Sequence, residues 1–535
     1  MKRNINYYII GGLMTLGLTA TSCSSDYLDT TPTASVGTVT TFQSTENVKL
    51  AINGIAEVMA TQQYWWGQGF NGEGYIKIRY GEYPGPNYYY NRYASGWKSL
   101  MNAEFNSRTS SIYCAYGWYY YYTIIGNANS IILHVDEATG TEADKQFLKA
   151  QALTFRAYGY EQLIQLYTKR WQDTKGADKV LPLRLDESTG DLAASSTAEV
   201  YTQIYKDLDE AIALFNKSGK DRNASDVWLP NLNVAHATYA RAAINHQDYA
   251  NALTHAKLAR NGYPLMNNTE YVSGFAKPTS EWIWGSYGDE TENQWYWSYG
   301  TQYACNGYYS GKYDTGAGAI DRFLINRIPN NDVRKSLFLT EDKFPDWNVN
   351  KTINSYGYIK IAEANYPLLT EIQNYITKMT PKGYTPAYKN NVYYLDGQLK
   401  FWVFGAPGVS YLPHFRSSEM VLIEAEANYF LGKTADAQAS LIELNKTSGR
   451  NPDYTCTKTG DDLFQEIVDY RGLELFGEGF SWYDYKRWNK DMTRKTFSEG
   501  GNAHLVLSNT IKATDNNGWT WSVPQAETDY NSSLQ

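Results

Sequence analysis

Two segments with the same spacing of small residues constrain the fold of this chain more than any other feature of its sequence. The first spans residues 233–265 and the second spans residues 417–445. Each is long enough for two helices. Small or aliphatic residues recur at helical offsets in the second half of each: Ala252, Ala256 and Ala259 after Tyr249 in one, and Ala437, Leu441 and Leu444 in the other. Small residues at these offsets let adjacent helices approach closely, so each segment is predicted to form a helical hairpin.

The fold expected from these hairpins is mainly helical. Their offsets resemble the second helix of a tetratricopeptide repeat, in which helix pairs stack on one another. Residues 144–167 carry an apolar stripe on a wide face, and Ser196 with Glu199 has the pattern of a capping box at a helix start. We therefore expect a mainly α fold: a tetratricopeptide-like helical-repeat scaffold with long inserted irregular loops and little strand.

A single domain is expected over residues 41–535. Its repeat-like helices should occupy about residues 41–265 and 414–490. The region between them, about residues 267–413, is rich in Gly, Asn, Tyr and Trp and has no sustained period. A large irregular insertion in a repeat protein is usually where function sits, so this region is predicted to form the ligand face.

The amino-terminal residues have the pattern of an export signal followed by a tether. Basic residues precede an apolar run over residues 9–20, which fits a signal peptide and is too short to span a bilayer. Small residues then precede Cys23, as in a lipobox. We predict a lipoprotein signal peptide at 1–22 and a lipidated tether at 23–40 that begins with Cys23. Ordinary cleavage near Ser22 is the alternative.

An aromatic stretch over residues 64–97 is the second unusual feature. Tyr and Trp alternate there with Gly and Pro, and no helical or strand period survives, which predicts a loop. Tyr and Trp offer an apolar face and one hydrogen-bond donor, which suits a sugar ring with C–H faces and hydroxyl edges. A second aromatic loop is predicted over residues 295–313. We expect the rings of both loops to be exposed on one open concave surface.

Ten residues on these two loops are the candidate glycan contacts. Each ring could instead belong to the core, and Arg79 and Asn91 are included because they could hold ligand hydroxyl groups. The predicted ligand-binding residues are Arg79, Tyr88, Tyr89, Tyr90, Asn91, Trp97, Trp295, Tyr296, Trp297 and Tyr299.

Composition excludes several other classes of function. The net charge of −8 and the absence of basic runs argue against a nucleic-acid partner. No apolar run after the signal approaches the ~20 residues that span a bilayer, so contact with the membrane is expected through the lipid anchor only. Cys114, Cys305 and Cys456 remain after Cys23, so at least one is unpaired within the chain. No cofactor and no metal site are predicted, although Asp515 could begin a calcium loop.

An enzyme is the rival class, because a glycosidase needs two carboxylates about 5 to 9.5 Å apart in a cleft. The close pairs in the sequence lie on predicted scaffold helices, which favours structural roles and no catalysis. These pairs are Asp207 with Asp209, Glu424 with Glu426, and Asp461 with Asp462. A third class is a helical-repeat scaffold, or a peptide-binding transporter lid, that binds no glycan.

An ordered set of motifs resembles the SusD/RagB family of outer-membrane nutrient-binding lipoproteins of Bacteroidetes. The resemblance extends over nearly the whole chain. Two motifs are the most specific: one is Arg416, Ser417, Ser418 and Glu419 with Leu422, Ile423, Ala425, Glu426 and Ala427, and the other is Arg471, Glu474, Gly477, Asp484, Arg487 and Trp488. Further matches are Asp26, Tyr27, Leu28, Asp29 and Pro32 after Cys23, the pair Asn127 and Asn129, Phe155 to Tyr158 followed by Leu181 to Leu183, Tyr205 to Ala211, and Glu281 to Trp284.

This resemblance implies a non-catalytic, surface-exposed lipoprotein of the cell outer membrane. Such a protein captures an oligosaccharide and delivers it to a partner, a SusC-like TonB-dependent transporter. The family binds glycans through loop aromatics after the first helix and in the later insertion, which correspond here to the two aromatic loops. Only regions carry over, because the binding residues vary within the family.

Overall fold

The computed structural model describes residues 38–63, 66–67, 69–89, 97–286, 288, 299–307, 318–344, 367–384, 394–404, 410–515 and 519–534. The predicted signal peptide, Cys23 and most of the predicted tether lie outside these residues. So do five members of the predicted site, which are Tyr90, Asn91, Trp295, Tyr296 and Trp297.

Helices dominate the amino-terminal half, and their starts follow from capping side chains. The Ser44 hydroxyl accepts a hydrogen bond from Asn47 N at 3.3 Å, and Ser196 and Glu199 form the predicted capping box. A π-helix, Lys77–Glu82, continues the third helix without a break. The α-helices of this half are α1 (Thr38–Thr41), α2 (Thr45–Ala60), α3 (Glu73–Ile76), α4 (Lys98–Met101), α5 (Ile112–His134), α6 (Glu142–Tyr167), α7 (Trp171–Thr174), α8 (Thr197–Ser218), α9 (Leu232–Asn245) and α10 (Tyr249–Ala259).

The carboxyl-terminal half contains the second hairpin and shorter helices. The insertion between the two hairpins holds one long described helix, which spans Pro367–Met379. A second π-helix, Glu443–Thr447, ends the second hairpin. The α-helices of this half are α11 (Asn268–Tyr271), α12 (Tyr299–Tyr303), α13 (Arg322–Asn326), α14 (Pro367–Met379), α15 (Ser417–Phe430), α16 (Thr434–Ile442), α17 (Gly460–Glu474), α18 (Ser481–Arg487) and α19 (Gln525–Tyr530).

The strands of the described residues form short antiparallel pairs. Each pair joins parts of the chain that are distant in sequence or closes a loop between helices. The pairs are β1 (Tyr88–Tyr89) with β5 (Ala319–Ile320), β2 (Lys179–Pro182) with β3 (Ala194–Ser196), β4 (Trp282–Gly285) with β6 (Pro413–Arg416), and β7 (Met492–Thr493) with β8 (Thr510–Ile511).

The long helices stack in one row. In order, α2 packs on α5, α5 on α6, α6 on α8, α8 on α9, α9 on α10, α10 on α15, and α15 on both α16 and α17. Ala252, Ala256 and Ala259 of α10 are fully buried between neighbouring helices, as their predicted role in close helix packing requires. The predicted helical hairpins and the mainly α fold class are therefore confirmed.

A buried ionic network joins this row to the inserted region. Arg416 Nη1 lies 2.6 Å from Glu281 Oε1 and 2.9 Å from Glu474 Oε1, and Arg416 Nε lies 2.7 Å from Glu478 Oε2. Arg334 adds a second guanidinium to Glu474 at 3.0 Å. The density of charge near residues 471–488 predicts buried ion pairs, and Arg471 with Asp484 at 2.6 Å confirms it.

The last described segment returns to the amino-terminal helices. Trp521 N donates to Leu166 O at 3.0 Å, and Ser522 N donates to Asn106 O at 2.8 Å. Trp521 is itself fully buried, so this segment adds core to the beginning of the helix row.

Candidate functional site

The aromatic stretch after α2 is helical over residues 73–82, and its prediction as a loop is wrong there. Helix α3 runs directly into the π-helix Lys77–Glu82. Its glycines serve close packing: a Cβ on Gly74 would lie 2.9 Å from the Tyr299 Cβ, and one on Gly81 would lie 2.3 Å from the Gly479 carbonyl oxygen. Gly residues in this stretch therefore mark tight contacts between elements as well as turns.

The predicted exposure is also wrong for three candidate rings. Tyr88, Tyr89 and Tyr299 are buried, with 0%, 1% and 7% of their surface exposed, and the candidate Arg79 beside them is 2% exposed. Tyr rings can enter a core when their hydroxyl groups find partners. The Tyr89 hydroxyl donates to Asp321 Oδ1 at 2.7 Å, and the Tyr299 hydroxyl donates to Gly477 O at 3.1 Å.

Arg79 is the centre of a cation–π cluster. Its guanidinium carbon lies 3.8 Å from the ring centroid of Trp97, 4.5 Å from that of Tyr83 and 5.5 Å from that of Tyr75. Its Nη2 donates a hydrogen bond to Gln302 Oε1. Its Nε and Nη1 have no hydrogen-bond partner among the residues that the structure describes. Leaving the N–H donors of a buried guanidinium without partners costs free energy. These donors are therefore suited to a hydrogen bond with a polar ligand group or with another part of the chain.

The described ends of the two aromatic regions meet at this cluster. Strands β1 and β5 pair Tyr88 with Ile320, and the Tyr88 ring lies 5.2 Å from the Tyr303 ring between centroids. Gly318 precedes β5 with a φ of +78°, and a Cβ there would lie 2.3 Å from the Tyr88 ring. The two regions therefore converge, but their described rings pack inward instead of lining an open concave surface.

Trp97 is the described candidate that reaches the surface, because it is half-buried and lies over Arg79. The candidates outside the described residues are close in sequence to described candidates. Tyr90 and Asn91 follow Tyr89, and Trp295, Tyr296 and Trp297 precede Tyr299. Glycan contact by these residues stays a prediction.

Sequence reasoning missed Gln302, the hydrogen-bond partner of Arg79. The two residues lie 223 positions apart, and no local pattern links them. A polar residue within an aromatic run, as Gln302 is between Tyr299 and Tyr303, is the one sequence signal that could have marked it.

Three of the six carboxylates considered for glycoside hydrolysis are held in ion pairs with arginine, and Asp209 is exposed on α8. Asp207 accepts from Arg156 at 2.6 and 2.8 Å, Glu424 accepts from Arg260 at 2.6 Å, and Glu426 accepts from Arg487. The remaining pair, Asp461 and Asp462, is exposed in the first turn of α17. The observed contacts of the paired carboxylates are those of a scaffold.

Three further findings concern the described residues only. No group of three His, Cys, Asp or Glu side chains there could hold a metal ion. No helix there is both long and apolar enough to cross a membrane. Cys114, Cys305 and Cys456 are buried.

Comparisons with known families agree on one relationship. A family model described as the SusD family matches residues 280–535, and one described as starch-binding and associating with the outer membrane matches residues 26–244. A SusD-like protein of Formosa agariphila is 22% identical over 512 residues, which cover 89% of this chain and 90% of that protein.

Solved structures have the same fold. A SusD-like carbohydrate binding protein from Bacteroides vulgatus is similar with a TM-score of 0.71 at 21% identity, covering 92% of this chain and 98% of that one. Surface glycan-binding protein A from Bacteroides thetaiotaomicron, in complex with laminarihexaose, has a TM-score of 0.64 at 17% identity, with 90% and 97% covered.

Proposed function

This chain belongs to the SusD/RagB family, and from that membership we propose that it captures an oligosaccharide and delivers it to a SusC-like TonB-dependent transporter. The proposal includes no covalent chemistry: the protein binds the glycan and passes it on. Support comes from the name of one family model, which refers to starch binding, and from a structural neighbour that holds laminarihexaose.

The Arg79 cluster is the observation that supports a binding surface at this place. The Nε and Nη1 donors of Arg79 have no hydrogen-bond partner among the described residues, and the half-buried Trp97 ring lies over the guanidinium. Guanidinium donors can hold sugar hydroxyl groups while an aromatic ring stacks on the sugar face. We assign the glycan to this region, with Trp97, Tyr90, Asn91 and residues 295–297 as contacts and with Arg79 as a further contact through its Nε and Nη1 donors.

Substitution of the two predicted tryptophans tests the proposal. Trp97→Ala and Trp295→Ala should each weaken binding of a glycan about tenfold, the effect of losing one stacked ring. Calorimetry against a panel of neutral and acidic oligosaccharides measures the change. Phe430→Ala is the matched control, because Phe430 is 42% exposed on α15 and lies outside the cluster.

Each rival function has its own signature in this experiment. Unchanged affinity in both variants would remove the Arg79 region from the site. A glycosidase would release reducing ends from the panel. A scaffold or peptide-binding lid would bind no glycan and still co-purify with a membrane barrel.

The anchor is part of the same proposal. We place the mature protein on the cell outer membrane, surface-exposed and held by lipid on Cys23 after removal of residues 1–22. Several acyl chains, at ~0.8 kcal/mol per buried methylene, would hold it firmly. Cys23→Ser should release the protein from the membrane fraction and abolish palmitate incorporation, and retention of both would refute the anchor.

A further inference from the structure

A second concavity lies at the beginning of the helix row and shares no lining residue with the Arg79 cluster. It is a cavity of about 320 Å³ between helix α5, the loop over residues 182–191 and the terminal helix α19. Trp118, Tyr122, Ile125 and Gly126 line it from α5, and their spacing of three and four residues puts them on one face. The volume is at the lower end of the range for small-molecule sites, about 300–1,000 Å³.

Hydrogen bonds hold the walls of this cleft in place. The Tyr122 hydroxyl donates to Pro182 O at 2.8 Å, and Asn129 Nδ2 donates to Arg184 O at 3.0 Å, so α5 supports the loop. The terminal segment is attached by two bonds between Asn531 and Leu192, at 3.0 and 3.2 Å. A cleft fixed in this way requires little ordering when a ligand enters.

The cleft presents aromatic faces next to open solvent. Tyr119 and Tyr122 are half-buried in its wall, and the Tyr530 ring at its edge is 86% exposed. Single exposed rings are common on protein surfaces, but here the ring stands beside a concavity lined by three further rings, those of Trp118, Tyr119 and Tyr122. Such an arrangement fits a ligand with flat apolar faces.

The polar groups of the cleft favour a neutral ligand with hydroxyl groups. Asp191 and Glu527 contribute carboxylates, which repel anions. Asp191 Oδ2 accepts from Ser532 N at 3.0 Å and from the Ser532 hydroxyl, and a carboxylate has acceptor capacity for further hydroxyl groups. Arg184, the guanidinium in the lining, donates to Gly190 O at 2.8 Å and to the Ser188 carbonyl, so its charge is directed at the loop. Burial, together with the nearby Glu527 carboxylate, raises the pKa of Tyr119 to about 12, so its hydroxyl stays protonated.

We propose that this cleft is a second carbohydrate site, which takes neutral sugar units of a glycan and not its acidic ones. The site goes beyond the function proposed above, because it is built from other residues. Rings supply stacking faces, and the two carboxylates accept the hydroxyl groups.

Gly126 allows the cleft to be filled without disturbing the fold. A Cβ at Gly126 would meet no atom within 4 Å, and leucine has a better helix propensity than glycine. Gly126→Leu therefore places a side chain in the cleft and keeps α5 intact. Gly54→Leu is the matched control, because Gly54 is also a helical glycine with open space around it.

A glycan array with the full chain, Gly126→Leu, Tyr530→Ala and Gly54→Leu tests the proposal. At least one neutral glycan should bind the wild type and lose about tenfold in affinity in both cleft variants, with no change in Gly54→Leu. Identical binding profiles for all four proteins would overturn the second site and leave the proposed function standing. This result is expected if a protein segment, and not a glycan, occupies the cleft. A wild type that binds no glycan at all would overturn both.

Discussion

Glu82 shows how a single buried carboxylate holds the candidate site together. Its Oε1 accepts from Gly479 N at 2.7 Å and Phe480 N at 3.1 Å, and its Oε2 accepts from the Ser481 hydroxyl at 3.0 Å. These bonds attach the π-helix that carries Arg79 to the turn before α18. These hydrogen bonds lower the pKa of Glu82, but burial of the carboxylate has the larger effect and raises it to about 7.

The stability supplied by Glu82 should therefore depend on pH. Its folded pKa is above the unfolded value of about 4.5, so the folded state binds the extra proton between these values, and stability is lost as pH rises towards 7. Glu82→Gln keeps the shape and stays neutral. We expect the melting temperature of Glu82→Gln, relative to that of the wild type, to increase as pH rises from 5 to 8.

Thermal unfolding of both proteins across this range measures the difference directly, because other titrating groups are common to both. A constant difference between the two melting temperatures would show that Glu82 has the same protonation state throughout. Glu46→Gln is a suitable control, since Glu46 is an exposed partner of Lys49 at 2.6 Å.

At the scale of elements, the π-helix depends on glycine. The Cβ of an alanine at position 81 would lie 2.3 Å from the Gly479 carbonyl oxygen, and backbone cannot yield as a flexible side chain can. Gly81→Ala should therefore destabilise the fold by about 1–3 kcal/mol, the usual cost of overpacking. Denaturant unfolding gives the value.

Gly126→Ala, in the α-helix α5, should have the opposite effect on stability. Position 126 has open space, so alanine should stabilise α5 by roughly 0.5–1 kcal/mol through helix propensity alone. If both alanine variants were equally stable, close packing at Gly81 would not be the reason for glycine there.

The same contrast explains which elements the sequence could predict. Helices α2 and α8 begin with capping signals at Ser44 and Ser196 and keep an apolar stripe, so local rules suffice. In the π-helix region, Gly74 and Gly81 resemble turn residues, because the partners that require them, Tyr299 and Gly479, are distant in sequence. Local patterns cannot tell a glycine of a tight contact from a glycine of a turn.

Across the whole molecule, buried charges connect parts that the chain separates widely. Arg416, fully buried, is shared by Glu281, Glu474 and Glu478. Burial alone would raise the pKa of Glu474, but the guanidinium groups of Arg450, Arg416 and Arg334 outweigh it and hold this pKa well below its usual range. The Glu474 carboxylate therefore keeps its charge well below the pH at which an ordinary glutamate is protonated.

Removal of one partner should be costly, because it leaves buried charge without compensation. Arg416→Met should lower the free energy of unfolding by about 3–5 kcal/mol or prevent folding. Lys49→Met, in the exposed pair with Glu46, should change it by less than about 0.5 kcal/mol. Urea unfolding of both variants measures the contrast, and a soluble, fully stable Arg416→Met protein would contradict the role given to the network.

The candidate site was predictable by region and not by residue. The aromatic composition and the family resemblance both indicated the stretches around Tyr88 and Tyr299, and the structure brings these stretches together at Arg79. Which rings face inward depends on distant partners, such as Asp321 for the Tyr89 hydroxyl, that no short motif encodes. The cleft under Tyr530 has no sequence signature either, since three remote segments form it.

The return of residues 519–534 to the first helices has a consequence for how the protein folds. Leu166 and Asn106 accept backbone hydrogen bonds from Trp521 and Ser522, which lie far along the chain. Contacts of such long sequence separation close slowly. The first helices therefore complete their packing only when this distant segment has docked, so they do not form an independent folding unit.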